Sequence, residues 1–452
     1  MHPRETPKRA QSRRKVQPGL GHDHGGSRPS QAAGPAQAGP AVWLSPGETL
    51  QRRVGPFWGL TLGHEGALAV PGAGVPKGAG GVLRRLPRQT PGLRAAPTPA
   101  PLATPARVHP IASQPLSLAA QMTRSLVIAP QWIGDAVMTE PLLARLAARG
   151  DVISVAALPW VAPVYRAMPQ VREVIELPFA HGRLDWARRR AVAAGLRGRF
   201  DVALVLPNSI KSALIPFLAR IALRIGYHGE GRFGLLNRRL PNPPGRPPMV
   251  AFYSALTGDF LGPPARPRLH FDAAALQQAT ASAGVQAQSY WVFAPGAEYG
   301  PAKCWPASHY AGLARSLFAA HGLVVLLLGS AKEAALCEAI AAAAPAACWV
   351  LAGQTSLLDA MALIAAARGM VSNDSGLMHV AAAFGVPQVA VFGSTSPEHT
   401  PPLNPRAQVI WLKQELKLDC MPCFDRVCRF GHTRCLTEVT PERVAQALRQ
   451  TG

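Results

Sequence analysis

The sequence predicts an α/β fold made of two doubly wound parallel-sheet domains that face each other across a cleft. Short apolar runs typical of buried strands alternate with amphipathic segments from residue 125 to residue 450. Several of these runs pass directly into a glycine-containing turn, as parallel strands do where a helix follows. Ligands of such folds bind beyond the carboxyl ends of the strands, so the chemistry is expected in the loops at those ends.

Residues 1–121 differ in composition from the rest of the chain. They contain 18 proline and 17 glycine residues, close to the level typical of disordered segments. They also contain 15 lysine and arginine residues against 4 acidic ones, which is half of the net charge of +22. We expect a disordered basic extension. Three interpretations of it stay open: a tail, a linker, or translated upstream sequence that does not belong to the functional protein. Met122 directly precedes the first apolar run and is the expected natural start.

The first domain is expected to span residues 122–287. Short buried runs predict its strands, and helical spacing of apolar residues predicts its helices. The strands are expected at 125–130, 152–157, 171–177, 202–206 and 224–227, and the helices at 135–148, 160–168, 185–199, 208–222 and 252–260. The remaining parts are a long connection at 228–250, a proline-rich linker at 262–268, and a short strand and a helix within 269–287.

The second domain, residues 288–452, repeats the same alternation. Its strands are expected at 291–294, 323–328, 369–371 and 388–392, and its helices at 309–320, 333–344, 356–367, 377–384 and 440–450. Thr440 followed by Pro441 is typical of a helix start, because proline at the first helical position loses no hydrogen bond.

Two loops that follow predicted strands carry candidate charged groups. Asp135 is the only acid in the loop 131–135, so it could take a proton from an attacking hydroxyl, or simply cap the helix that it begins. Lys303 lies in a loop rich in glycine and proline. Its ammonium would suit a diphosphate leaving group, and an ordinary surface lysine is the alternative.

A third loop, residues 372–376, has the sequence SNDSG and opens a helix. Unpaired backbone N–H groups and the helix dipole make such a position suitable for a phosphate. Asp374 could hold sugar hydroxyls beside that anion, or act only as an N-cap. His379, one turn into the helix, could face the same anion, or be a packed core histidine. Two facing domains would bring this loop and Lys303 opposite Asp135.

Four cysteines cluster near the end of the chain, at Cys420, Cys423, Cys428 and Cys435. Their spacing is not that of a common zinc knuckle or ribbon, so structural metal, a reduced loop and a redox pair all remain open. The other three cysteines are isolated, which fits a reducing, cytoplasmic compartment.

Several classes of protein are disfavoured. The chain has no P-loop, no GxGxxG fingerprint after a strand and no HExxH site, and it has no apolar run of about 18 residues that could span a membrane. The positive charge suggests an anionic partner such as a phosphorylated lipid or an acidic membrane face. Nucleic-acid binding without enzymatic activity is the alternative interpretation of that charge.

At these motifs the chain resembles the bacterial lipopolysaccharide heptosyltransferases that use ADP-heptose, and within them the heptosyltransferase II branch. The resemblance covers about residues 125–450 and none of 1–121. The matching stretches are QWIGDAVMTEPL (131–142), LPNSIKSALIPFLA (206–219), PGAEYGPAKCWP (295–306), LLGSAKE (327–333), SNDSGLMHVAAAFGVP (372–387), FGSTSPEHTPP (392–402) and the cysteine-containing tail (420–435).

The resemblance implies a GT-B fold, in which two Rossmann-like domains face a cleft and the last helix packs back on the first domain. It also implies inverting transfer of heptose from ADP-heptose, without a further cofactor, to the first heptose of heptosyl-Kdo-lipid A. The enzyme would work at the cytoplasmic face of the inner membrane. The first heptosyltransferase of the pathway, or another nucleotide-sugar enzyme such as an epimerase, is the alternative.

The resemblance also implies a role for each matching residue. Asp135 would be the catalytic base and Lys303 the cation on the diphosphate. Cys304 stands where an arginine would be expected. The donor-binding residues would be Asp374 on the heptose hydroxyls, Ser375, Gly376 and His379 at the phosphates, Lys332 at the ribose, and Glu298 and Tyr299 in a variable part of the phosphate loop. The acceptor side would include Gly134, Asn208 and Lys211.

Overall fold

The computed structural model describes residues 122–179, 184–258 and 265–451. The predicted extension, residues 1–121, and parts of the predicted 252–260 helix and 262–268 linker lie outside these ranges. The described residues form two six-stranded sheets, and every strand pair in them is parallel. This is the predicted α/β architecture.

The first sheet has the strand order β3-β2-β1-β4-β5-β6. Its strands are β1 Arg124–Ile128, β2 Val152–Ala157, β3 Val171–Glu176, β4 Val202–Val205, β5 Leu223–Tyr227 and β6 Arg238–Leu240. The helices between them are α1 Ile133–Met138, α2 Glu140–Ala148, α3 Ala162–Arg166, α4 Trp186–Gly195, α5 Ile210–Leu218 and α6 Met249–Ser254, followed by a 3₁₀ turn at Ala255–Thr257. We call this part, residues 122–258, the front lobe.

The second sheet has the order β9-β8-β7-β10-β11-β12 when it is read from its other edge, so both sheets share one topology. Its strands are β7 Tyr290–Ala294, β8 Val324–Leu327, β9 Cys348–Val350, β10 Gly369–Asn373, β11 Gln388–Phe392 and β12 Ala407–Trp411. The helices are α7 Ala273–Ser282, α8 Ala307–His321, α9 Ala334–Ala343, α10 Leu357–Ala365, α11 Gly376–Phe384, α12 Lys413–Leu416, α13 Arg434–Thr437 and α14 Pro441–Arg449, with 3₁₀ turns at Pro301–Lys303 and Ala331–Glu333.

We call residues 265–451 the rear lobe. The helix α7, which the predicted boundary at residue 287 assigns to the first domain, packs against α10 of this lobe. The two lobes meet where α1 packs against α11, and the amide of Met249 donates a 3.0 Å hydrogen bond to the carbonyl of His399. Apolar residues of both lobes belong to one continuous buried cluster.

Several predicted elements differ from the observed ones. The helix expected at 135–148 is divided at Thr139, where Pro141 has no N–H to continue the hydrogen-bond ladder. The prediction of a strand within 269–287 is wrong, because residues 265–272 belong to neither sheet. Three edge strands were missed. β6 and β12 contain arginine and glutamine rather than a continuous apolar run, and β9 is only three residues long.

The last helix, α14, begins as predicted, with the Thr440 side chain accepting a hydrogen bond from the Arg443 amide at 3.3 Å. Its apolar residues Val444 and Leu448 are buried in the core of the rear lobe, where the helix packs against α8. The predicted packing of this helix against the first domain is therefore wrong.

Candidate active site

The carboxyl ends of β1 and β10 bring the two lobes into contact through glycine residues. A Cβ atom on Gly134 would lie 2.8 Å from Cδ2 of His379, and one on Gly376 would lie 2.9 Å from Cβ of Ile133. Real Cβ atoms do not approach other atoms that closely, so only glycine permits this contact at either position. The loops 131–135 and 372–376 therefore face each other, as the sequence predicted.

Asp135, in the first turn of α1, lies on the front side of this contact. Its Oδ1 atom accepts a hydrogen bond of 3.1 Å from the hydroxyl of Tyr253. Burial raises the pKa of Asp135 to about 6, against the opposing effects of the Tyr253 hydrogen bond and the charge of Lys303. A carboxylate with a pKa near neutrality is both mostly ionised at pH 7 and basic enough to accept a proton.

Lys303 and Asp374 form a buried ion pair on the rear side. The Nζ atom of Lys303 lies 2.6 Å from Oδ2 of Asp374, and the two side chains are only 13% and 5% exposed. The Thr395 hydroxyl donates a second hydrogen bond, of 2.7 Å, to the same carboxylate oxygen. An ammonium group has three N–H donors, so Lys303 can bind this carboxylate and still donate to a ligand anion.

The electrostatics of the rear side set the charge states of two buried groups. Burial alone would raise the pKa of Asp374, but the charge of Lys303 and hydrogen bonds from Lys303 and Thr395 outweigh it, and the pKa is lowered. Burial lowers the pKa of His379 to about 4, more than the nearby Asp374 raises it. At neutral pH Asp374 is therefore a carboxylate, and His379 is a neutral imidazole that can donate one hydrogen bond.

The start of α11 is not capped by its own sequence. Ser375 occupies the N-cap position but makes no side-chain cap hydrogen bond, and its buried Oγ atom has no hydrogen-bond partner among the described residues. The first amides of this nine-residue helix and the Ser375 hydroxyl can therefore donate to an anion beside Lys303. This geometry favours the anion-site interpretation over the N-cap alternative.

Three polar residues of the site were not predicted from the sequence because their partners are distant in sequence. Asn373 is fully buried, accepts hydrogen bonds from the Trp305 amide at 2.9 Å and the Tyr310 hydroxyl at 3.1 Å, and donates one to the Pro295 carbonyl at 2.6 Å. It thereby ties the Lys303 loop to the Asp374 turn. Tyr253 and Thr395 are the other two. Asn373 lies beside Asp374 in the loop 372–376, and Thr395 lies in the matching stretch 392–402, so both had a signal in the sequence, whereas Tyr253 had none.

The remaining donor-side candidates lie on neighbouring loops. Lys332 and Glu298 pair with each other at 2.7 Å and are largely exposed. The Tyr299 hydroxyl donates to the Phe424 carbonyl, and the Tyr299 ring lies 4.8 Å from Nζ of Lys303. Tyr299 thus connects the Lys303 loop to the segment that holds the clustered cysteines.

The acceptor-side candidates lie on the front lobe. Asn208 and Lys211 follow β4, the neighbour of β1, so they share the sheet edge that carries Asp135. The described contacts of Asn208 are internal to this lobe: its carbonyl accepts from the Glu230 amide at 3.0 Å, and its side-chain oxygen accepts from Arg232 at 3.4 Å.

The clustered cysteines line one small pocket, and none of them forms a disulfide. Within the described ranges of the chain, no group of three or more potential ligand side chains is arranged to hold a metal ion. Structural metal, a reduced loop and a redox pair all stay predictions for this cluster. Cys304, next to Lys303, is a half-buried thiol whose pKa is raised by burial.

Comparison with known proteins connects this geometry to a family. Residues 189–434 match the model of glycosyltransferase family 9 (heptosyltransferase). The chain is 39% identical to the lipooligosaccharide heptosyltransferase 2 of Haemophilus ducreyi, over 72% of this chain and 98% of that protein. It is 41% identical to the lipopolysaccharide heptosyltransferase 2 of Salmonella typhimurium, over 72% of this chain and 97% of that protein.

Among solved structures, the fold is similar to that of the ADP-heptose lipopolysaccharide heptosyltransferase II of Escherichia coli, with a TM-score of 0.64 and 38% identity. The similarity covers 73% of this chain and 98% of that one. The two facing parallel-sheet lobes are of the GT-B type, which confirms the predicted fold class.

Proposed function

Because the chain belongs to glycosyltransferase family 9, the heptosyltransferase family, we propose that it moves heptose from ADP-heptose to the inner core of lipopolysaccharide. The acceptor in this proposal is the first heptose of heptosyl-Kdo-lipid A, presented at the cytoplasmic membrane face. The observation that carries the proposal is the position of Asp135 across the lobe contact from the Lys303–Asp374 pair.

The reaction requires a base on one side of the anomeric carbon and a stabilised leaving group on the other. The Asp135 carboxylate accepts the proton of the acceptor hydroxyl, and that oxygen bonds to the anomeric carbon. The bond from this carbon to the β-phosphate oxygen breaks on the opposite face, its electrons stay on the diphosphate, and ADP leaves. The configuration at the anomeric carbon is therefore inverted.

The rear lobe supplies positive charge where the leaving diphosphate gains negative charge. Lys303, the first amides of α11, Ser375 and His379 donate to the phosphate oxygens, and Gly376 lets the backbone approach. Asp374 accepts from the heptose hydroxyls. We assign Lys332 and Glu298 to the ribose side of the donor and Tyr299 to the support of Lys303. Gly134, Asn208 and Lys211 belong to the acceptor side.

No resident metal or other cofactor is part of this proposal, because Lys303 and the α11 amides already offset the diphosphate charge. Initial rates measured with and without EDTA should agree within about twofold. A rate that falls strongly in EDTA and returns with a divalent cation would contradict this part of the proposal and leave heptose transfer intact.

The test is transfer from ADP-heptose to two purified acceptors, heptosyl-Kdo-lipid A and Kdo-lipid A, with the product mass as the readout. We expect one heptose to be added to the first acceptor and little product from the second. Transfer to Kdo-lipid A alone would instead assign the chain to the first heptosyltransferase step. Salt-sensitive DNA binding without ADP binding would favour the nucleic-acid alternative.

A further inference from the structure

Five positions of the front lobe, in loops or at the first residue of a helix, each expose an apolar side chain. They follow five different strands: Trp132 after β1, Trp160 after β2, Trp186 after β3, Ile210 after β4 and Phe233 after β5. Each residue is between 41% and 75% exposed. We call these five residues the apolar rim. Single exposed apolar residues are ordinary, but one at every successive loop of a sheet edge is not.

The topology places four of the rim residues on one edge of the molecule, and Phe233 lies on the connection that runs from this edge back to the start of β6. All the strands are parallel and neighbours in the order β3-β2-β1-β4-β5, so their carboxyl ends form a continuous edge. Five strands at about 4.8 Å spacing extend over about 19 Å. This is also the edge that carries Asp135, so the apolar rim borders the side from which an acceptor reaches the base in the proposed function.

Internal hydrogen bonds connect the described segments that carry the rim residues. The indole N–H of Trp160 donates to the Gln131 carbonyl at 2.9 Å, which joins the loops after β2 and β1. Arg189 donates to the Lys211 carbonyl at 2.9 Å, which joins the starts of α4 and α5. The Ile210 amide donates to Glu230 at 2.9 Å, which joins the loops after β4 and β5. A fixed rim loses little conformational entropy when it binds a surface.

The charge around the rim is positive. Arg188 and Arg190 are exposed in α4, directly after Trp186, and the Arg239 guanidinium lies 3.8 Å from the Phe233 ring centroid. Residues 122–258 contain 18 lysine and arginine residues against 8 acidic ones, whereas residues 265–451 contain 14 against 12. Exposed indole rings together with arginine suit the interface of an anionic bilayer, where the rings enter the headgroup region and the cations bind lipid phosphates.

We propose that the apolar rim docks the front lobe onto an anionic lipid bilayer, so that the saccharide of a membrane-held acceptor reaches Asp135 while its lipid stays in the membrane. The inference rests on the proposed function, which requires a lipid-borne acceptor. No helix in the described part of the chain is long and apolar enough to cross a bilayer.

The test is vesicle flotation of the full chain with matched tryptophan variants. Trp186→Ser removes a rim residue that is 47% exposed, and Trp349→Ser removes one that is 43% exposed on β9 of the rear lobe. With vesicles of phosphatidylglycerol and phosphatidylethanolamine, we expect Trp186→Ser to partition about tenfold more weakly than the wild type. Trp349→Ser should partition like the wild type. With phosphatidylcholine alone, the wild type should bind at least about tenfold more weakly.

A second rim variant, Phe233→Ser, guards against a local folding defect at the start of α4, and thermal melting checks both proteins. The inference is overturned if both rim variants float with anionic vesicles like the wild type, or if Trp349→Ser weakens flotation equally. It is also overturned if the wild type binds neutral and anionic vesicles alike. Trp132 is left unchanged because its loop carries Asp135.

An activity measurement separates this inference from the proposed function. With acceptor embedded in vesicles, Trp186→Ser should lower the transfer rate about fivefold or more, whereas with the de-acylated acceptor saccharide it should match the wild type. If every form transfers heptose to both acceptors at equal rates, docking through the rim is wrong and heptose transfer stands. If no form transfers heptose to either acceptor but flotation still depends on the rim, the proposed function is wrong and the docking of the rim on a bilayer is retained.

Discussion

The two lobes have the same strand order but different chemistry at equivalent positions. The loop after the first strand of each sheet carries an acid, Asp135, in the front lobe and a cation, Lys303, in the rear lobe. The turn after the fourth strand also differs. In the front lobe Ser209 caps α5 by accepting from the Ser212 amide at 3.3 Å, whereas in the rear lobe Ser375 leaves α11 uncapped.

This difference explains how one topology can serve two substrates. A helix whose N-terminus is closed by its own side chain has fewer free donors for a ligand, while an uncapped one beside a lysine attracts a phosphate. The front lobe instead concentrates positive charge and exposed aromatic side chains around its edge. In the proposed function, the rear lobe therefore binds the donor diphosphate and the front lobe receives an anionic, lipid-held acceptor.

The largest expected effect is that of replacing the acid in the front lobe. Asp135→Asn keeps the shape of the side chain but removes its basicity, so the turnover rate should fall about 10²- to 10⁴-fold. Binding of ADP, which the proposal assigns to the rear lobe, should stay within about threefold in a calorimetric titration. A variant that retains turnover near the wild-type rate would exclude Asp135 as the base.

On the rear side, Lys303→Met removes the cation and leaves Asp374 buried without its ionic partner. We expect a rate loss of about 10²- to 10³-fold from the unsupported leaving group. Unpairing a buried charge should also lower the free energy of unfolding by about 3 kcal/mol. The double variant Lys303→Met with Asp374→Asn should regain most of the stability in denaturant unfolding and none of the activity. Recovery of activity would mean that the pair is only structural.

The alternation of apolar runs and glycine turns was enough to predict most strands of both lobes and the facing of the loops 131–135 and 372–376. The break at Thr139 was not predicted because a single proline ends the hydrogen-bond ladder. The edge strands β6, β9 and β12 were not predicted because edge strands can be short and need not be apolar. The packing of α14 could not be deduced, because helical amphipathicity shows that a face is buried and not which lobe buries it.

The supporting residues of the site were beyond sequence reasoning for a related reason. Tyr253 bonds to Asp135 across 118 positions, and Thr395 bonds to Asp374 across 21. A lone tyrosine carries no local pattern that indicates such a partner, and the matching stretch that contains Thr395 does not indicate which residue this threonine contacts. Charged groups in strand-end loops could be found from sequence, while the neutral groups that orient them needed the fold.

The pH dependence of the transfer rate should follow the ionisation of Asp135. A base must be ionised to accept a proton, so kcat/KM should rise with pH through about 6, the raised pKa of Asp135. The Tyr253 hydrogen bond lowers that pKa, so Tyr253→Phe should move the acidic limb upward by up to about one pH unit. Rates measured from pH 5 to pH 8 test this, with Tyr227→Phe as a control, since the Tyr227 hydroxyl bonds to the Phe252 carbonyl instead. An unmoved limb in Tyr253→Phe would show that another group controls it.

The smallest expected effects are those of substituting Ser375 and Ser209, which occupy the N-cap positions of α11 and α5. Ser375→Ala should raise the donor KM about tenfold, because one hydrogen bond to a charged phosphate is lost, while stability stays nearly unchanged. Ser209→Ala should leave the donor KM unchanged but cost about 1 kcal/mol of stability, because a helix cap is lost. Donor titrations and denaturant unfolding of both variants separate the two roles. If the two serines exchange these effects, α11 is capped by Ser375 in solution and the N-terminus of that helix is not the phosphate site.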